Sequence, residues 1–156
     1  MSGPAARLIA AALAAAVGDK TEAPIQGRTL AVGWATVETE RAIAALATDL
    51  HIPPAAFRAA PDSEALGARC LVALGVLPGG GALVVLEAAT EGLLAATLAR
   101  HDEGPRIIWI ARDDSAEIGA ARATPGPFGP ERLVPGPATD GLRRLLVSLP
   151  PGTIRG

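Results

Sequence analysis

Residues 29–37 form an alternating run that limits how this chain can fold. Side chains of an extended strand point alternately to two faces, so every second residue shares a face. One face of this run is bulky and the other is nearly bare; the bulky members are Leu30, Val32 and Trp34, and the small members are Ala31, Gly33 and Ala35. The run therefore predicts a β-strand whose two faces pack differently.

Further regular elements are predicted on both sides of this strand from turn residues, caps and apolar periodicity. The predicted helices cover residues 4–17, 38–50 and 90–101, the last capped by Thr90, with a short further helix at 115–122. The predicted strands cover 68–76, 82–88 and 106–112, with weaker strands at 55–60 and 132–134.

The connections between these elements are predicted as turns or linkers. Residues 19–28 are a linker and 61–65 a polar turn, whereas 142–149 form a regular element of either type. Pro78-Gly79-Gly80-Gly81 predicts a tight reversal, so the strands around it form a hairpin. No Lys, Ser or Thr follows these glycines to complete a nucleotide-binding motif.

The composition favours one globular domain without a nucleic-acid or membrane partner. The chain has 156 residues, 49% of them hydrophobic, which is enough for a substantial core. Its 14 basic and 16 acidic residues give a net charge of -2, which offers no basic surface to nucleic acid or an anionic membrane. Cys70 is the single cysteine, which excludes an intramolecular disulfide and favours a cytoplasmic location.

The apolar run at residues 8–17 has two interpretations. Pro4 and Gly18 suit the first turn and the C-terminal cap of a helix, and we favour this interpretation. Arg7 before an apolar stretch is also typical of a secretory signal, so that alternative stays open. A run of about ten residues is too short to span a bilayer.

Residues 82–114 resemble the middle of methylmalonyl-CoA epimerases, which belong to the vicinal-oxygen-chelate superfamily. The similarity lies in the order of a strand ending in Leu86-Glu87, a helix ending in Arg100-His101, the pair Glu103-Gly104 and a strand running into Asp113-Asp114. Residues 34–42 are similar to the first strand and helix of the wider superfamily, which includes glyoxalases and antibiotic-sequestering proteins.

The resemblance implies an α+β fold of two βαβββ modules whose mixed sheet curves around a cavity. It divides the chain into an N-terminal helix and linker (1–28) and a single domain (29–156), with module one at 29–88, a bridging helix at 89–104 and module two at 105–150. Module two has room for three strands instead of four, so the N-terminal helix or a second subunit could cover the free edge, and the second possibility favours a homodimer. The alternative is a ferredoxin-like βαββαβ sheet, which follows if residues 55–60 are not a strand.

The resemblance also locates the four positions where such enzymes hold a divalent metal ion. Matched motif to motif, these positions are Ala31, Val84, Ile107 and either Leu145 or Leu146. None of these side chains can ligate a metal. His51 and His101 lie at helix ends, away from all four strands, so the sequence predicts no metal and no cofactor.

Because alternate residues share a strand face, the former ligand face predicts a binding surface for a small apolar or planar molecule. Its predicted residues are Ala31, Gly33, Val84, Leu86, Ile107 and Trp109, with Arg106 beside them as an anion-binding candidate. The alternative is that these residues only fill a core and that Arg106 and Arg112 are solvated. Trp34 is predicted on the opposite face.

Other reactive side chains have structural interpretations beside the functional ones. Glu87 is a candidate acid or base, but a strand-end glutamate is more commonly paired with arginine. Asp113 and Asp114 suit a helix start, and Cys70 suits a small core position.

Three functions follow, and the sequence identifies no catalytic residue for any of them. The first is metal-free binding of a small apolar or planar molecule. The second is a lyase or isomerase of the glyoxalase or epimerase type with a rebuilt site. The third is a non-catalytic dimeric interaction subunit.

Overall fold

The computed structural model describes residues 3–18, 28–112, 123–134 and 141–148. The helices are α1 (Pro4–Gly18), α2 (Thr39–Leu50) and α3 (Leu93–Arg100). The strands are β1 (Arg28–Thr36), β2 (Arg58–Ser63), β3 (Ala68–Ala73), β4 (Ala82–Ala88), β5 (Gly104–Arg112), β6 (Glu131–Leu133) and β7 (Arg143–Ser148). The predicted helix at 115–122, Asp113, Asp114 and residues 19–27 of the linker lie outside the described residues.

All seven strands form one mixed sheet in the order β2-β3-β4-β1-β5-β7-β6. Within each half, the first and last strands are parallel neighbours, as β1 is to β4 and β5 is to β7. The halves join through the antiparallel pair β1–β5. This arrangement confirms the predicted α+β fold with a curled mixed sheet.

The ferredoxin-like alternative is wrong, although part of the sheet has its strand order. Strands β3, β4, β1 and β5 alone would form such a four-stranded sheet. The sheet continues beyond them, because β2 pairs with β3 on one side and β7 with β5 on the other. The weak strand predicted at 55–60 distinguishes the two folds, and it is present as β2 at Arg58–Ser63.

Two apolar clusters cover the two faces of the sheet. The outer cluster holds Val32, Leu83, Val85, Ile108 and Leu146 beneath residues of α1 and α2, with Trp34 packed at its margin. The inner cluster holds Ala31, Ala35, Val84, Leu86, Ile107, Trp109 and Leu145. The alternation predicted for residues 29–37 is confirmed from Ala31 to Ala35, including the outward Trp34. It is wrong for Leu30, which packs against the inner cluster where the pairing of β1 with β5 shifts register.

The predicted cap of the third helix is wrong. The helix begins at Leu93 and not at Thr90, because the preceding segment is bonded to the turn after β2. The Ala89 amide donates to the Gly67 carbonyl at 2.9 Å, and the Leu94 amide donates to the Leu66 carbonyl at 3.0 Å. Gly92 has a φ of 135°, a backbone conformation that favours glycine, and this bend places the helix start.

The predicted turn at 61–65 is partly wrong, and the ambiguous element at 142–149 is a strand. Pairing of β2 with β3 resumes at Ser63, opposite Ala68, after an irregularity at Pro61 and Asp62. Residues 143–148 are extended because they pair in parallel with β5 over six positions. No helix in the described ranges is both long and apolar enough to cross a membrane.

Candidate functional site

The strand pairing brings the predicted ligand-binding residues together on the inner face. Gly33 of β1 lies opposite Val84 on one side and Ile107 on the other. Ala31 pairs with Trp109, which pairs in turn with Leu145 of β7. The side chains of Ala31, Val84, Leu86, Ile107, Trp109 and Leu145 are all fully buried.

The bare face of β1 is occupied by its neighbours' side chains. A Cβ atom built on Gly33 would lie 2.7 Å from Leu86 Cδ1, 2.7 Å from Trp109 Cζ3 and 2.9 Å from Ile107 Cβ. These distances are shorter than van der Waals contact. The space that the small residues of β1 leave is therefore filled, chiefly by the indole of Trp109.

Arg106 lies at an irregularity in the pairing of β5 with β1. Ile107 pairs with Gly33 and Pro105 with the next residue, Trp34, so Arg106 is an extra residue between the two pairs and strand alternation does not assign its face. The guanidinium donates to the Asp102 carbonyl through Nε at 3.0 Å and Nη2 at 2.9 Å. The contacts of Arg106 are thus made with the main chain near the start of β5.

Among the described residues, the fully buried carboxyl group on the inner face is that of Glu131 in β6. Its Oε1 atom accepts a hydrogen bond from Trp109 Nε1 at 3.0 Å, and its Oε2 atom accepts one from Ser63 Oγ at 2.7 Å. The Ser63 hydroxyl also accepts from the Leu66 amide at 3.3 Å. Glu131 therefore joins the buried indole to the turn after β2.

The Ser63–Glu131 bond also joins the two ends of the sheet. Ser63 belongs to β2 and Glu131 to β6, which are the first and last strands in the sheet order. Beside it, the Glu64 amide donates to the Pro125 carbonyl at 3.1 Å. The curled sheet thus closes on itself around the inner cluster, and Glu131 lies at the closure.

A proline- and glycine-rich loop at 125–130 covers this closure. It connects Thr124 and Glu131, whose main chains exchange two hydrogen bonds of 2.9 Å. A Cβ on Gly126 would overlap the Glu131 carboxyl, so only glycine lets the loop pass over it. From the same loop, the half-buried Phe128 meets Trp109 edge to face, with ring centroids 5.7 Å apart and planes at 74°.

Burial controls the ionisation of the two titratable groups on this face. Desolvation raises the pKa of Glu131 above its ordinary value, although the hydrogen bonds from Ser63 and Trp109 act against the shift. Burial also raises the pKa of the Cys70 thiol to about 12. Cys70 is 3% exposed and packs in the inner cluster, so at neutral pH it is a protonated core residue and not a nucleophile.

Glutamine at position 131 is expected to flatten the pH dependence of stability. Above pH 4.5, the ordinary pKa of glutamate, the unfolded chain loses this proton while the folded chain keeps it. The free energy of unfolding therefore falls as the pH rises towards the raised pKa of Glu131, and stays lower above it. The variant Glu131→Gln has no proton to lose. Urea denaturation of both proteins from pH 4.5 to about pH 8 measures the difference.

The Cys70 thiol does not disturb this comparison, because its ordinary pKa of 9.0 and its raised value both lie above the range. Parallel profiles for the wild type and Glu131→Gln would show that Glu131 ionises equally in the folded and unfolded chains.

Glu87 and its surroundings lie outside the inner face. Thr39 Oγ1 donates to Glu87 Oε2, and Arg69 Nη1 lies 3.9 Å from the same oxygen. The structure thus confirms the arginine-paired interpretation of this glutamate. Glu87 also borders a shallow surface depression of about 410 Å³ at the start of α2, whose other lining residues are Val37, Glu38, Thr39, Glu40 and Arg41.

Glu103, from the motif that carries the resemblance, connects α2 to the turn before β5. Its Oε1 atom accepts from the Val37 amide at 2.9 Å and from Thr36 Oγ1 at 2.7 Å, and Arg41 Nη2 lies 3.4 Å from Oε2. The Val37 amide bond, followed by the Thr36 bond, lowers the pKa of this carboxyl group. Glu103 therefore links the turn before β5 to the end of β1 and to α2.

Glu103→Gln is expected to lower the free energy of unfolding at neutral pH by about 1 kcal/mol, because two hydrogen bonds to a carboxylate are weakened. The pKa of Glu103 is lower in the folded chain, so its contribution is present above about pH 4.5 and is lost as the pH falls through the lowered pKa. Acid denaturation curves of the wild type should therefore be steeper than those of the variant. Glu38→Gln, at an exposed glutamate, is the matched control. An equal loss of unfolding free energy in both variants would show that the hydrogen bonds of Glu103 do not stabilise the fold.

Solved structures share this arrangement of strands. A variant of the methylmalonyl-CoA epimerase of Streptomyces coelicolor, in complex with 2-nitronate-propionyl-CoA, matches with a TM-score of 0.60 at 18% identity, over 78% of this chain and 96% of its own. The epimerase of Mycobacterium tuberculosis matches with a TM-score of 0.63 at 15% identity, over 80% of this chain and 89% of its own. This chain has the vicinal-oxygen-chelate fold.

A hypothetical protein from Bacillus halodurans also has this fold and matches with a TM-score of 0.61 at 14% identity, over 80% of this chain and 96% of its own. No model of a protein family and no curated protein matches the sequence. The fold that the sequence resemblance implied is therefore confirmed, while identities below 20% show the fold alone.

The positions that the sequence resemblance assigns to metal ligands carry side chains that do not fit a divalent ion. Ala31, Val84 and Ile107 pack in the inner cluster. Of the two candidates for the fourth position, Leu145 packs in the inner cluster and Leu146 in the outer cluster. All four inner side chains are hydrocarbon and supply no lone pair. Within the described residues, no three His, Cys, Asp or Glu side chains are grouped closely enough to hold a metal.

Glu131, Ser63 and Phe128 were missed in the sequence. Glu131 and Phe128 lie in or beside a segment rich in proline and glycine, where no periodicity indicates which way a side chain points. Ser63 lay in a predicted turn. Only the closure of the sheet brings Glu131 and Phe128 to Trp109 and Ser63 to Glu131, so no local pattern could have found them.

Proposed function

We propose that the chain binds a small apolar or planar molecule on its inner face, without a metal ion and in the place that Phe128 occupies. The observation that supports this proposal is the edge-to-face contact of Phe128 with Trp109. The indole is fully buried, whereas the phenyl ring comes from a covering loop and is half-buried. A ligand ring can make the same contact, because it depends on the two aromatic quadrupoles and not on attachment to the loop.

The packing sets a condition on this binding. The inner face beside Gly33 is filled by Leu86, Ile107 and Trp109, and Phe128 packs on the Trp109 ring. A ligand must therefore enter as the phenyl ring leaves. The measured affinity is then the intrinsic affinity multiplied by the fraction of molecules in which the ring has left.

Truncation of Phe128 tests the proposal. Phe128→Ala is expected to bind toluene about tenfold more tightly than the wild type, because the site no longer has to be vacated. The fluorescence of Trp109 reports binding in a Trp34→Phe background, where it is the only tryptophan. Phe128→Leu is the matched control, since its aliphatic side chain still occupies much of the space.

Two outcomes would contradict the proposal. Toluene that binds neither Phe128→Ala nor the wild type would rule out an aromatic site beside Trp109. An affinity that is lost on treatment with a chelator would contradict the metal-free part, because hydrocarbon side chains at the four positions leave a chelator nothing to remove.

A second candidate function is a lyase or isomerase of the glyoxalase or epimerase type. The buried Glu131 carboxyl favours it, because a titratable group with a shifted pKa on a ligand-binding face is a common feature of catalytic sites. Assays of methylmalonyl-CoA epimerisation with the wild type and Glu131→Gln, each with and without chelator, test this candidate. Activity that survives chelator and is lost in the variant would support it.

The homodimer predicted from the short second module and the cytoplasmic location stay predictions. A native mass spectrum of protein purified from its own host would report the subunit number, a bound ligand and a bound metal together.

A further inference from the structure

Glu131 has no positively charged partner among the described residues. Within the described residues its side-chain hydrogen bonds come from neutral donors, the Ser63 hydroxyl and the Trp109 indole, and no salt bridge includes it. A carboxylate in such surroundings is costly, and a buried carboxyl group without a counter-ion keeps its proton instead. The fold could have avoided this cost with glutamine or methionine at the same position.

The loop that covers Glu131 also covers the aromatic site. Gly126 lies against the Glu131 carboxyl and Phe128 lies against the Trp109 ring, two residues apart in one loop. Trp109 Nε1 in turn donates to Glu131 at 3.0 Å. A molecule in the place of the Phe128 ring would therefore contact the indole whose N–H donates to Glu131, under the loop that covers the carboxyl.

We infer that the ligand of this site is a planar aromatic or heteroaromatic cation with N–H donors, such as an amidinium or a protonated ring nitrogen, which pairs with Glu131. This inference rests on the proposed binding site beside Trp109. A planar cation supplies the missing counter-charge, and two parallel N–H donors match the two carboxylate oxygens. The neighbouring indole also attracts cations through its ring face.

The same geometry disfavours the two other charge classes. An anionic group would meet a second negative charge if Glu131 ionised, and like charges at such a distance repel strongly in a dry site. A neutral amide can hydrogen-bond to the protonated carboxyl, but it leaves the carboxyl uncharged and gains no ion pair. The expected order of affinity is therefore cation, neutral molecule, anion.

Three probes of one shape test this order: benzamidine, benzamide and benzoate. In the Phe128→Ala protein we expect benzamidine to bind about tenfold more tightly than benzamide, and benzoate to bind most weakly. Glu131→Gln in that background should remove the preference for benzamidine and leave the benzamide affinity nearly unchanged. Calorimetric titration measures all three affinities without a spectroscopic label.

Two further variants separate the carboxyl group from its surroundings. Ser63→Ala removes a neutral donor and keeps the carboxyl, so the preference for benzamidine should persist. Glu87→Gln removes an acidic side chain of the surface depression, and it should change nothing if benzamidine binds on the inner face. Ser63→Ala also keeps the test valid should Glu131→Gln fail to fold.

The outcomes distinguish this inference from the proposed function. Equal binding of the three probes, tighter binding of benzamide or benzoate, or a preference for benzamidine that survives Glu131→Gln would overturn the cation assignment alone. Failure of toluene and all three probes to bind Phe128→Ala would overturn the aromatic site itself.

Discussion

Replacing Trp109 by alanine is expected to lower the free energy of unfolding by about 3–5 kcal/mol. The indole is fully buried on the inner face, packs against the bare surface of Gly33 and contacts the Phe128 ring. Its removal leaves a large cavity in the middle of the sheet. The substitution also removes the indole N–H that donates to Glu131 Oε1, and the buried acceptor left without a partner adds to the loss of stability.

Two variants divide this effect into its parts. Trp109→Phe keeps an aromatic ring but loses the N–H group, and should cost about 1–3 kcal/mol through Glu131 and the smaller ring. Trp34→Ala truncates the half-buried tryptophan on the outer face and should cost less than Trp109→Ala. Urea denaturation followed by circular dichroism measures all three. An equal loss for Trp34→Ala and Trp109→Ala would show that the inner face is not the better-packed side.

Gly33→Ala is expected to destabilise the fold by about 1–3 kcal/mol through overpacking. The added Cβ lies within 3 Å of atoms in Leu86, Ile107 and Trp109. The nearest atom of Ile107 is the Cβ of that residue, which can move only if the backbone of β5 moves. Backbone strain does not enter, because Gly33 does not have a φ in the left-handed region.

Gly81→Ala is the matched control, since Gly81 also lies outside the left-handed region and its nearest neighbour is 3.3 Å away. It should cost less than Gly33→Ala. The loss at Gly33 should also shrink when Trp109→Phe supplies space beside the new methyl group, because the two side chains meet. Purely additive losses for the two substitutions would contradict direct packing of the indole on β1.

The local elements of this fold could be predicted because each is encoded over a short window. The alternation at 29–37 gave a strand with a bulky and a bare face, and the Pro78–Gly81 reversal gave a hairpin between β3 and β4. The third helix start was wrong, since it depends on hydrogen bonds between residues 89–94 and a turn at 66–67 that no local pattern reports. The ferredoxin-like alternative differed from the observed sheet only by β2, β7 and β6, whose sequence signal is weak or ambiguous.

The candidate site also has features that the sequence predicted and features that only the structure revealed. The hydrocarbon side chains at the positions that the resemblance assigns to metal ligands are a property of the sequence, and the structure adds that they share one buried face. The bare face of β1 could not be recognised as filled from the sequence, because the size of a side chain does not tell whether a neighbour fills the gap it leaves. Arg106 was predicted beside this face by its position, but the pairing of β5 with β1 shifts register at this residue.

By itself the sequence determined that β1 has one bare face, that the positions the resemblance assigns to metal ligands are hydrocarbon, and that Trp109 lies on the same face, because alternation and residue chemistry are local. Only the tertiary structure decided that Glu131 and Phe128 meet that indole and that Ser63 bonds to Glu131. The physical reason is the closure of the curled sheet, in which the first and last strands come together through contacts between residues 68 positions apart. A carboxyl group acquires its unusual environment there, and not from its neighbours in the chain.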